Sequence, residues 1–256
     1  MSEPEKQSEN PDRADRFGAQ SVMAFLQARM GSRRLPGKAM LPIRGQTILE
    51  RAIRRLRAAP VVDAVAVLTT CLDEDDAVVE EALRLGALVH RGPEQDVLAR
   101  FYEAGQKFRP DIIIRATADN PLIEIGSLER MVDALYWGGL DWCLENDLPY
   151  GAATEAFTAK ALNIVHSKAV EVRHREHVTL YIKEHPEEFR VSLLVPPDSL
   201  RHPQVRLTVD TAADLAFVDQ LIGQLPEGEY PLPLAEYIPL ALNLLQERVC
   251  KALAKS

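Results

Sequence analysis

Apolar runs and stretches of helical periodicity alternate along the first half of the chain. Four short runs, mostly apolar and β-branched, predict buried strands at residues 21–26, 61–69, 88–90 and 112–116. Apolar residues recur at helical spacing at residues 47–57, 73–85, 96–107 and 127–137. Strands that alternate with helices of this length predict right-handed βαβ crossovers and a mostly parallel, doubly wound α/β sheet of the Rossmann-like kind.

Signals at the ends of the elements support this reading of the helices. Thr47 is in the position of an N-cap, Glu50 lies in the capping-box position, and Gly86 follows the helix at 73–85. Ligands of such sheets bind beyond the carboxyl ends of the strands. Polar residues directly after each predicted strand are therefore the candidates for a functional site.

The pattern becomes less regular after residue 140. Residues 149–151 predict a turn, residues 172–184 a helical stretch and residues 189–195 a strand. Residues 205–209 alternate and predict another strand, which is followed by helices at 212–225 and 234–254. The polar residues 1–20 predict a disordered tail. We expect one domain at 21–256, with an inserted subdomain at 141–199.

Composition places the chain among ordinary globular proteins, since 46% of its 256 residues are hydrophobic and 27% are charged. No apolar run approaches the roughly 20 residues of a membrane span, and residues 1–20 lack the apolar core of a secretory signal. Cys71, Cys143 and Cys250 lie far apart, which favours reduced thiols and disfavours a structural zinc site. The net charge of −8 disfavours general nucleic-acid binding. We expect a soluble cytoplasmic protein without a membrane or nucleic-acid partner.

A cationic loop at residues 27–38 contrasts with this acidic background. It directly follows the first predicted strand and contains two glycines. Its four positive charges are Arg29, Arg33, Arg34 and Lys38. Glycines let backbone N–H groups approach a ligand, and arginine and lysine bind phosphate oxygens. The pattern predicts a polyphosphate site, with a solvated basic loop as the alternative. It matches neither a Walker A loop nor the G-x-G-x-x-G fingerprint.

The segment A-R-M-G-S-R-R-L-P-G-K at 28–38 resembles the signature loop of the sugar-acid cytidylyltransferases, which make CMP-activated nonulosonic and 3-deoxy-octulosonic acids. The spore-coat polysaccharide branch is the most similar, and with the motifs below the resemblance covers residues 22–219. It implies the nucleotide-diphospho-sugar transferase fold, CTP and a sugar acid as substrates, Mg²⁺ as cofactor, and a homodimer formed through the insert. The loop residues it implicates in nucleotide binding are Ala28, Arg29, Gly31, Ser32, Arg34 and Lys38.

Two aspartates follow predicted strands. Asp119 lies in A-T-A-D-N-P after the strand at 112–116, and Asp210 directly follows the run at 205–209. Both are candidate metal ligands, because Mg²⁺ bound by phosphates takes one or two protein carboxylates. Both also match the resembled family, although its V-D-T-P motif has Ala212 here in place of proline. The alternatives are a turn before proline for Asp119 and a helix N-cap for Asp210 or Thr211.

Further candidates for nucleotide binding follow the second and third predicted strands. Thr69 and Thr70 end the second strand, where hydroxyl or backbone groups can meet the edge of a base. The segment R-G-P-E-Q-D-V-L-A-R-F at 91–101 resembles the family element G-S-x-x-D-V-L-x-R-Y, which lies beside the nucleotide and implicates Arg91 and Asp96. Asp96 is also a natural N-cap. The preference for cytosine rests on the resemblance.

The candidates for acceptor binding lie in the irregular second half. By resemblance they are Tyr150, Gly151 and Glu155 in P-Y-G-A-A-T-E-A-F, with Arg175 and His177 in R-E-H-V-T. Arginine or histidine suits a sugar carboxylate, and glutamate suits hydroxyl groups. The alternative is a charged surface helix. His174 and His177 do not predict zinc, because their spacing differs from that of H-E-x-x-H.

The predicted chemistry is nucleotidyl transfer, in which a sugar hydroxyl attacks the α-phosphate of CTP and pyrophosphate leaves. Mg²⁺ on Asp119 and Asp210 would orient the phosphates, while Arg29, Arg34 and Lys38 would neutralise the leaving group.

Two other functional classes, a glycosyltransferase and a non-catalytic binding protein, stay open on the sequence alone. A glycosyltransferase that uses a nucleotide sugar shares this type of sheet but usually carries D-x-D, whereas Asp73-Glu74-Asp75 is typical of a helix start. A non-catalytic nucleotide-binding dimer would not need Lys38 together with both aspartates. A guanylyltransferase of the molybdenum-cofactor type would show G-G-x-S-x-R-M-G, which this loop lacks.

Overall fold

A seven-stranded sheet runs through the computed structural model, which describes residue 18, residues 20–226, residue 228 and residues 231–253. Its strands are β1 (Val22–Gln27), β4 (Ala64–Thr70), β5 (Leu88–Gly92), β6 (Ile112–Thr117), β7 (Trp142–Glu145), β8 (Glu155–Thr158) and β9 (Val191–Leu194). A separate hairpin pairs β2 (Pro42–Ile43) with β3 (Gln46–Thr47). The predicted tail lies outside the described residues, apart from residues 18 and 20.

The strand order is β5-β4-β1-β6-β8-β7-β9, and β8 is the one reversed strand of this sheet. The pairs β1/β4, β1/β6, β4/β5 and β7/β9 are parallel. The chain first forms the central strand β1, then adds β4 and β5 on one side of it, and later adds β6 to β9 on the other side. This reversal of strand order creates a switch point between β1 and β6, where doubly wound sheets bind their ligands. The predicted mostly parallel sheet is confirmed.

Helices cover both faces of the sheet. They are α1 (Ile48–Arg57), α2 (Asp76–Arg84), α3 (Val97–Phe108), α4 (Ile125–Tyr136), α5 (Ala159–Lys168), α6 (Val172–Glu176), α7 (Leu180–Glu184), α8 (Ala212–Ile222) and α9 (Leu234–Leu253). Within the described residues, no helix combines the length and apolar character that crossing a bilayer requires.

Strand β1 shows why the central strands are nearly continuously apolar. Val22, Ala24 and Leu26 pack into a core with α1, α2 and α4. Met23 and Phe25 point to the other face and pack into a second core with α3 and α5. Because both faces are buried, a strand of this kind needs apolar residues at every position rather than at alternate ones.

Helix caps place the starts of the helices where the sequence indicates. Thr47 accepts a hydrogen bond from the Glu50 amide at 2.9 Å, which confirms it as the N-cap of α1. Asp96 caps α3 through the Ala99 amide at 2.8 Å. Thr211 caps α8 in a reciprocal capping box with Asp214, so Asp210 itself is not the cap.

The predicted strand at 205–209 is wrong. This segment is extended, but it forms only an isolated bridge between Tyr150 and Arg206. Its amides donate to two loops instead of a neighbouring strand: Leu207 N to Tyr150 O and Val209 N to Asp119 O, both at 2.8 Å. Its alternation has another cause, because residues 205, 207 and 209 are buried in a third core beneath α8 and α9.

The predicted helical stretch at 172–184 is also corrected. It consists of two short helices, α6 and α7, with the backbone of His177 outside helical geometry between them. Strands β7 and β8 and helix α5 were not predicted. Each of these strands has four residues, which is too short for a clear period.

Candidate active site

Lys38, Asp119 and Asp210 meet at one point. The Lys38 ammonium nitrogen lies 2.8 Å from Asp119 Oδ2 and 2.9 Å from Asp210 Oδ1. Lys38 lies on the loop that leaves the carboxyl end of β1, and Asp119 follows β6, which is parallel and adjacent to β1. Asp210 is brought to them because the preceding residue, Val209, donates its amide to the Asp119 carbonyl. The switch point thus gathers residues that are far apart in sequence.

The cationic loop is folded around Met30. The Ser32 and Gly37 amides both donate to the Met30 carbonyl, at 2.7 and 3.1 Å, and the Met30 amide donates to buried Asp75 at 2.6 Å. Gly37 has φ 65°, a left-handed conformation that glycine adopts without strain. It directly precedes Lys38, so the turn aims the lysine back across the end of the sheet.

Electrostatics keep Lys38 and Asp210 charged. Burial lowers the pKa of Lys38, but the charges of Asp119 and Asp210 and hydrogen bonds to them outweigh this and raise the pKa above its ordinary value. Burial raises the pKa of Asp210, whereas Lys38, Arg206 and Arg34 together hold it below its ordinary value. At neutral pH the ammonium group of Lys38 therefore lies beside the carboxylate of Asp210.

Two more cations contact Asp210. Arg34 Nη2 lies 2.9 Å from Asp210 Oδ1, and Arg206 Nη2 lies 2.8 Å from Asp210 Oδ2. Arg206 also donates a hydrogen bond to Asp214. Burial raises the pKa of Asp214, but the hydrogen bonds from Arg206 and Thr211 outweigh this and lower the pKa to about 2. The sequence analysis missed Arg206 and Asp214. The signal for Arg206 was the alternation at 205–209, which puts Arg206, Thr208 and Asp210 on one side of the chain, and the signal for Asp214 was its capping-box spacing from Thr211.

The two aspartates fit a divalent cation. Two carboxylate oxygens that approach one ammonium nitrogen within 3 Å can also converge on one metal ion. Oxygen donors of this kind are those that Mg²⁺ prefers. Thr117 donates to the other oxygen of Asp119, which leaves Oδ2 directed at the shared point.

A polar cleft of about 410 Å³ opens beside the aspartates. Its lining comprises Arg34, Thr117, Asp119, Asn120, Leu144, Glu145, Asn146, Asp147, Leu148, Pro149, Tyr150, Gly151, Ala153, Thr208 and Asp210. Two of the predicted acceptor residues, Tyr150 and Gly151, therefore lie in the same cleft as both predicted metal ligands. Its carboxylates and amides provide several hydrogen-bonding groups for a hydroxyl-rich ligand.

Glu155, Arg175 and His177 do not line this cleft. Glu155 is buried on β8, where it pairs with Arg115 at 2.9 Å, with Lys183, and with the Thr179 hydroxyl at 2.8 Å. Burial raises its pKa, but Arg115 and Lys183 outweigh this and hold the pKa below its ordinary value.

The other two residues of this group lie on α6 or at its end. Arg175 pairs with Asp96 at 2.6 Å, and His177 is exposed. The structure thus separates the predicted acceptor residues into a cleft pair and a group that joins α6 and α7 to the sheet and to α3.

Of the predicted nucleotide residues on β4 and β5, Thr70 and Arg91 bond to the protein itself, whereas the buried Thr69 hydroxyl has no hydrogen-bond partner within the described part of the chain. Thr69 and Thr70 are buried, and the Thr70 hydroxyl donates to Asp75. Arg91 donates to the Thr70 carbonyl at 2.8 Å and to the Leu72 carbonyl at 2.7 Å. These contacts brace the carboxyl end of β4 next to the cationic loop.

The remaining loop residues lie on the same side. Ala28 is buried and extends the sheet through its amide to the Leu68 carbonyl. Arg29 pairs with Glu94 at 3.4 Å. The Ser32 hydroxyl accepts from the Leu35 amide, and Gly31 lies against the Glu74 carboxylate. All predicted nucleotide residues are therefore at the carboxyl edge of the sheet, although several of them engage protein partners.

Gly151 allows the closest backbone approach in the cleft. Its φ is 96°, and an added Cβ would lie 2.4 Å from the Thr208 amide nitrogen. Because residues 206–208 lead directly to Asp210, this contact sets where the aspartate lies.

We expect Gly151→Ala to lower both stability and turnover. Gly45→Ala is the matched control, since Gly45 has φ 82° but no described atom within 4 Å of the Cβ it would gain. Backbone strain alone should cost Gly45→Ala about 1–2 kcal/mol in urea denaturation. Gly151→Ala should lose clearly more, because the Thr208 backbone must also move. Equal losses would show that the contact with Thr208 relaxes freely.

Comparison with known proteins identifies the family of the chain. A family model described as Cytidylyltransferase matches residues 23–237. The spore coat polysaccharide biosynthesis protein SpsF of Bacillus subtilis is 34% identical over 227 residues, which cover 87% of this chain and 94% of the relative. A 3-deoxy-manno-octulosonate cytidylyltransferase of Anaeromyxobacter is 35% identical over 121 residues, or 46% of this chain and 48% of that enzyme.

A solved structure is similar over most of its length. A cytidylyltransferase from Leptospira borgpetersenii superposes with a TM-score of 0.79 at 30% identity, covering 90% of this chain and 96% of that chain. The family match spans the cationic loop, both aspartates and the cleft. The chain therefore belongs to the cytidylyltransferase family of nucleotidyltransferase enzymes.

Proposed function

We propose that the protein transfers CMP from CTP to a hydroxyl group of a sugar acid, with release of pyrophosphate and with Mg²⁺ as cofactor. The observation that carries the proposal is the convergence of Lys38, Asp119 and Asp210 at the edge of a polar cleft. The names of the relatives support the substrate class, since one is a 3-deoxy-manno-octulosonate cytidylyltransferase and another a spore coat polysaccharide protein.

Asp119 and Asp210 would hold the Mg²⁺. When bound, the ion polarises the phosphate and neutralises part of its charge. Lys38 lies at the shared point of the two carboxylates, so the ion would displace it from that point and its ammonium group could then bind oxygens of the adjacent triphosphate. Arg34 contacts the Asp210 carboxylate, and Arg29 lies on the same loop as Lys38. These cations neutralise the charge that builds on departing pyrophosphate.

The cleft supports a hydroxyl-rich acceptor. Its volume of about 410 Å³ lies in the usual range for small-molecule sites. Asp147 can accept hydrogen bonds from sugar hydroxyls, and Asn120 and Asn146 can both donate and accept. The acceptor would thus lie between Tyr150 and the two aspartates.

We also propose a cytoplasmic homodimer that serves surface polysaccharide or glycan synthesis. Support for dimerisation through 141–199 comes from β9, an edge strand of the sheet, where Leu193 and Val195 are exposed. Cys71, Cys143 and Cys250 are free thiols, as expected of a reducing compartment.

Pyrophosphate release tests the proposed reaction. CTP, UTP, GTP and ATP are each combined with a panel of sugar acids and Mg²⁺. We expect release with CTP and one class of sugar acid. Turnover of a nucleotide sugar would favour the glycosyltransferase alternative, and nucleotide binding without turnover of any acceptor would favour the scaffold alternative.

CTP with Mg²⁺ should raise the melting temperature. At 100 times the dissociation constant, linkage contributes about 2.7 kcal/mol, which corresponds to about 5–10 °C for a chain of this size. EDTA should remove most of the shift, because without the ion no divalent charge lies between the triphosphate and the carboxylates of Asp119 and Asp210. Differential scanning fluorimetry measures the effect. A larger shift with GTP than with CTP would contradict the cytidylyl specificity but not nucleotidyl transfer.

A further inference from the structure

Arg206 is the most firmly held of the cations on Asp210. Its Nε donates to Asp214 Oδ1 at 3.0 Å, and its Nη2 donates to Asp210 Oδ2 at 2.8 Å. The guanidinium also lies over the ring of Tyr150, 4.9 Å from its centroid. Two carboxylates and one aromatic face therefore fix the planar guanidinium, whose forked donors and flat face a lysine ammonium group lacks.

Asp214 anchors both the side chain of Arg206 and the backbone at Asp210. Its Oδ2 accepts hydrogen bonds from the amides of Asp210 and Thr211, at 3.0 and 2.9 Å, and from the Thr211 hydroxyl at 2.9 Å. The Asp214 carboxylate, in the first turn of α8, thus fixes the position of the Asp210 backbone. Through Arg206 it also fixes the direction of the Asp210 carboxylate.

The oxygens of Asp210 are divided between two kinds of partner. Oδ2 bonds the anchored Arg206, whereas Oδ1 faces Lys38 and Arg34. Arg34 is 65% exposed and Lys38 is shared with Asp119, so both can move to an incoming triphosphate. Arg206 has no comparable freedom, since leaving Asp210 would also break its contacts with Asp214 and Tyr150.

We propose that Arg206, anchored by Asp214 and Tyr150, is a positioning residue that occupies Oδ2 of Asp210 and thereby presents Oδ1 to the divalent cation. The inference rests on the proposed function, in which Asp210 holds that cation. It also links the two substrates, because Tyr150 lines the acceptor cleft while Arg206 touches the metal carboxylate. Partners that orient a metal ligand typically change metal affinity or activity by about 10- to 100-fold.

Arg206→Lys is the test variant, because it keeps the positive charge and removes the fork. Arg206→Met is less informative, since losing a cation beside the site would itself favour metal binding. A second variant, Arg206→Gln with Asp214→Asn, leaves the net charge unchanged, and asparagine still serves near the helix start. Arg190→Lys is the control: Arg190 pairs with Asp141 on the surface, away from the cleft.

The readout is the affinity of the Mn²⁺–CTP complex, measured by water proton relaxation without an acceptor. We expect about tenfold or weaker affinity for Arg206→Lys and for the charge-neutral double variant, and wild-type affinity for Arg190→Lys. The Mg²⁺ concentration for half-maximal turnover should rise in parallel, while kcat at saturating Mg²⁺ changes little. Urea denaturation shows whether each variant is folded.

Asp210→Asn separates the two levels of the proposal. If Arg206→Lys keeps wild-type affinity while Asp210→Asn loses it, the positioning role is overturned and the proposed function stands. If Asp210→Asn also keeps wild-type affinity, Asp210 does not hold the cation, and both the positioning role and the proposed metal site are overturned.

Discussion

Asp119→Asn and Asp210→Asn should each lower turnover by about 100-fold or more, and the double variant should be little worse than either single variant. The physical reason is that both carboxylates approach the same point, marked by the Lys38 nitrogen 2.8 and 2.9 Å away. Groups that hold one ion act as a unit, so removing the second costs little once the first is lost.

The substitution discriminates between a metal site and a structural role. Asparagine keeps the size of aspartate and still serves in turns and caps, but it removes the charge that a cation needs. The cap of α8 is Thr211, so Asp210→Asn leaves that hydrogen bond in place. Turnover is measured as pyrophosphate release over a range of Mg²⁺ and Mn²⁺ concentrations, and high metal should partly rescue the single variants.

Asp111→Asn is the matched control. Asp111 is an exposed aspartate just before β6, at the opposite edge of the sheet, where it accepts from the Ser21 amide at 2.8 Å. It should keep near-normal turnover. Near-normal turnover of Asp119→Asn or Asp210→Asn at low Mg²⁺ would show that the altered aspartate is structural.

Lys38→Ala should lower turnover by about 100-fold or more while tightening the binding of Mn²⁺ in the absence of nucleotide. Turnover falls because a preorganised charge at the leaving group is lost. Mn²⁺ binding tightens because Lys38 occupies the position between the carboxylates that the ion would take. Two unit charges 4 Å apart interact by about 4 kcal/mol at an effective dielectric of 20. An increase of about tenfold in the affinity for Mn²⁺ is therefore a modest expectation.

The two effects have opposite signs, which excludes simple unfolding as their cause. Electron paramagnetic resonance of free Mn²⁺ measures the binding, and pyrophosphate release measures turnover. The fold should persist, since Arg34 and Arg206 still neutralise Asp210. Arg33→Ala is the control, because Arg33 is an exposed arginine in the same loop and should change neither quantity by more than a few-fold. Normal turnover of Lys38→Ala would mean that the loop is a solvated basic surface.

Local periodicity was sufficient for much of the fold. The central strands and the helices between them were predictable because burial on both faces of β1 requires a continuous apolar run. The N-cap at Thr47 was predictable because a cap is satisfied within four residues. The same reasoning failed at 205–209, where alternation reports burial under α8 and α9 rather than pairing with another strand.

The candidate site, like the fold, could be predicted only in part from local sequence. The cationic loop and the aspartates that follow the apolar runs could be predicted from the amino-acid sequence, because charge and position after a strand are local properties. Three contacts could be seen only in the folded chain: Lys38 bridges Asp119 and Asp210, Asp214 holds Arg206, and Glu155 is buried among cations. Pairings of this kind depend on which strand lies beside which, and that order is set by the packing of the whole sheet rather than by neighbouring residues.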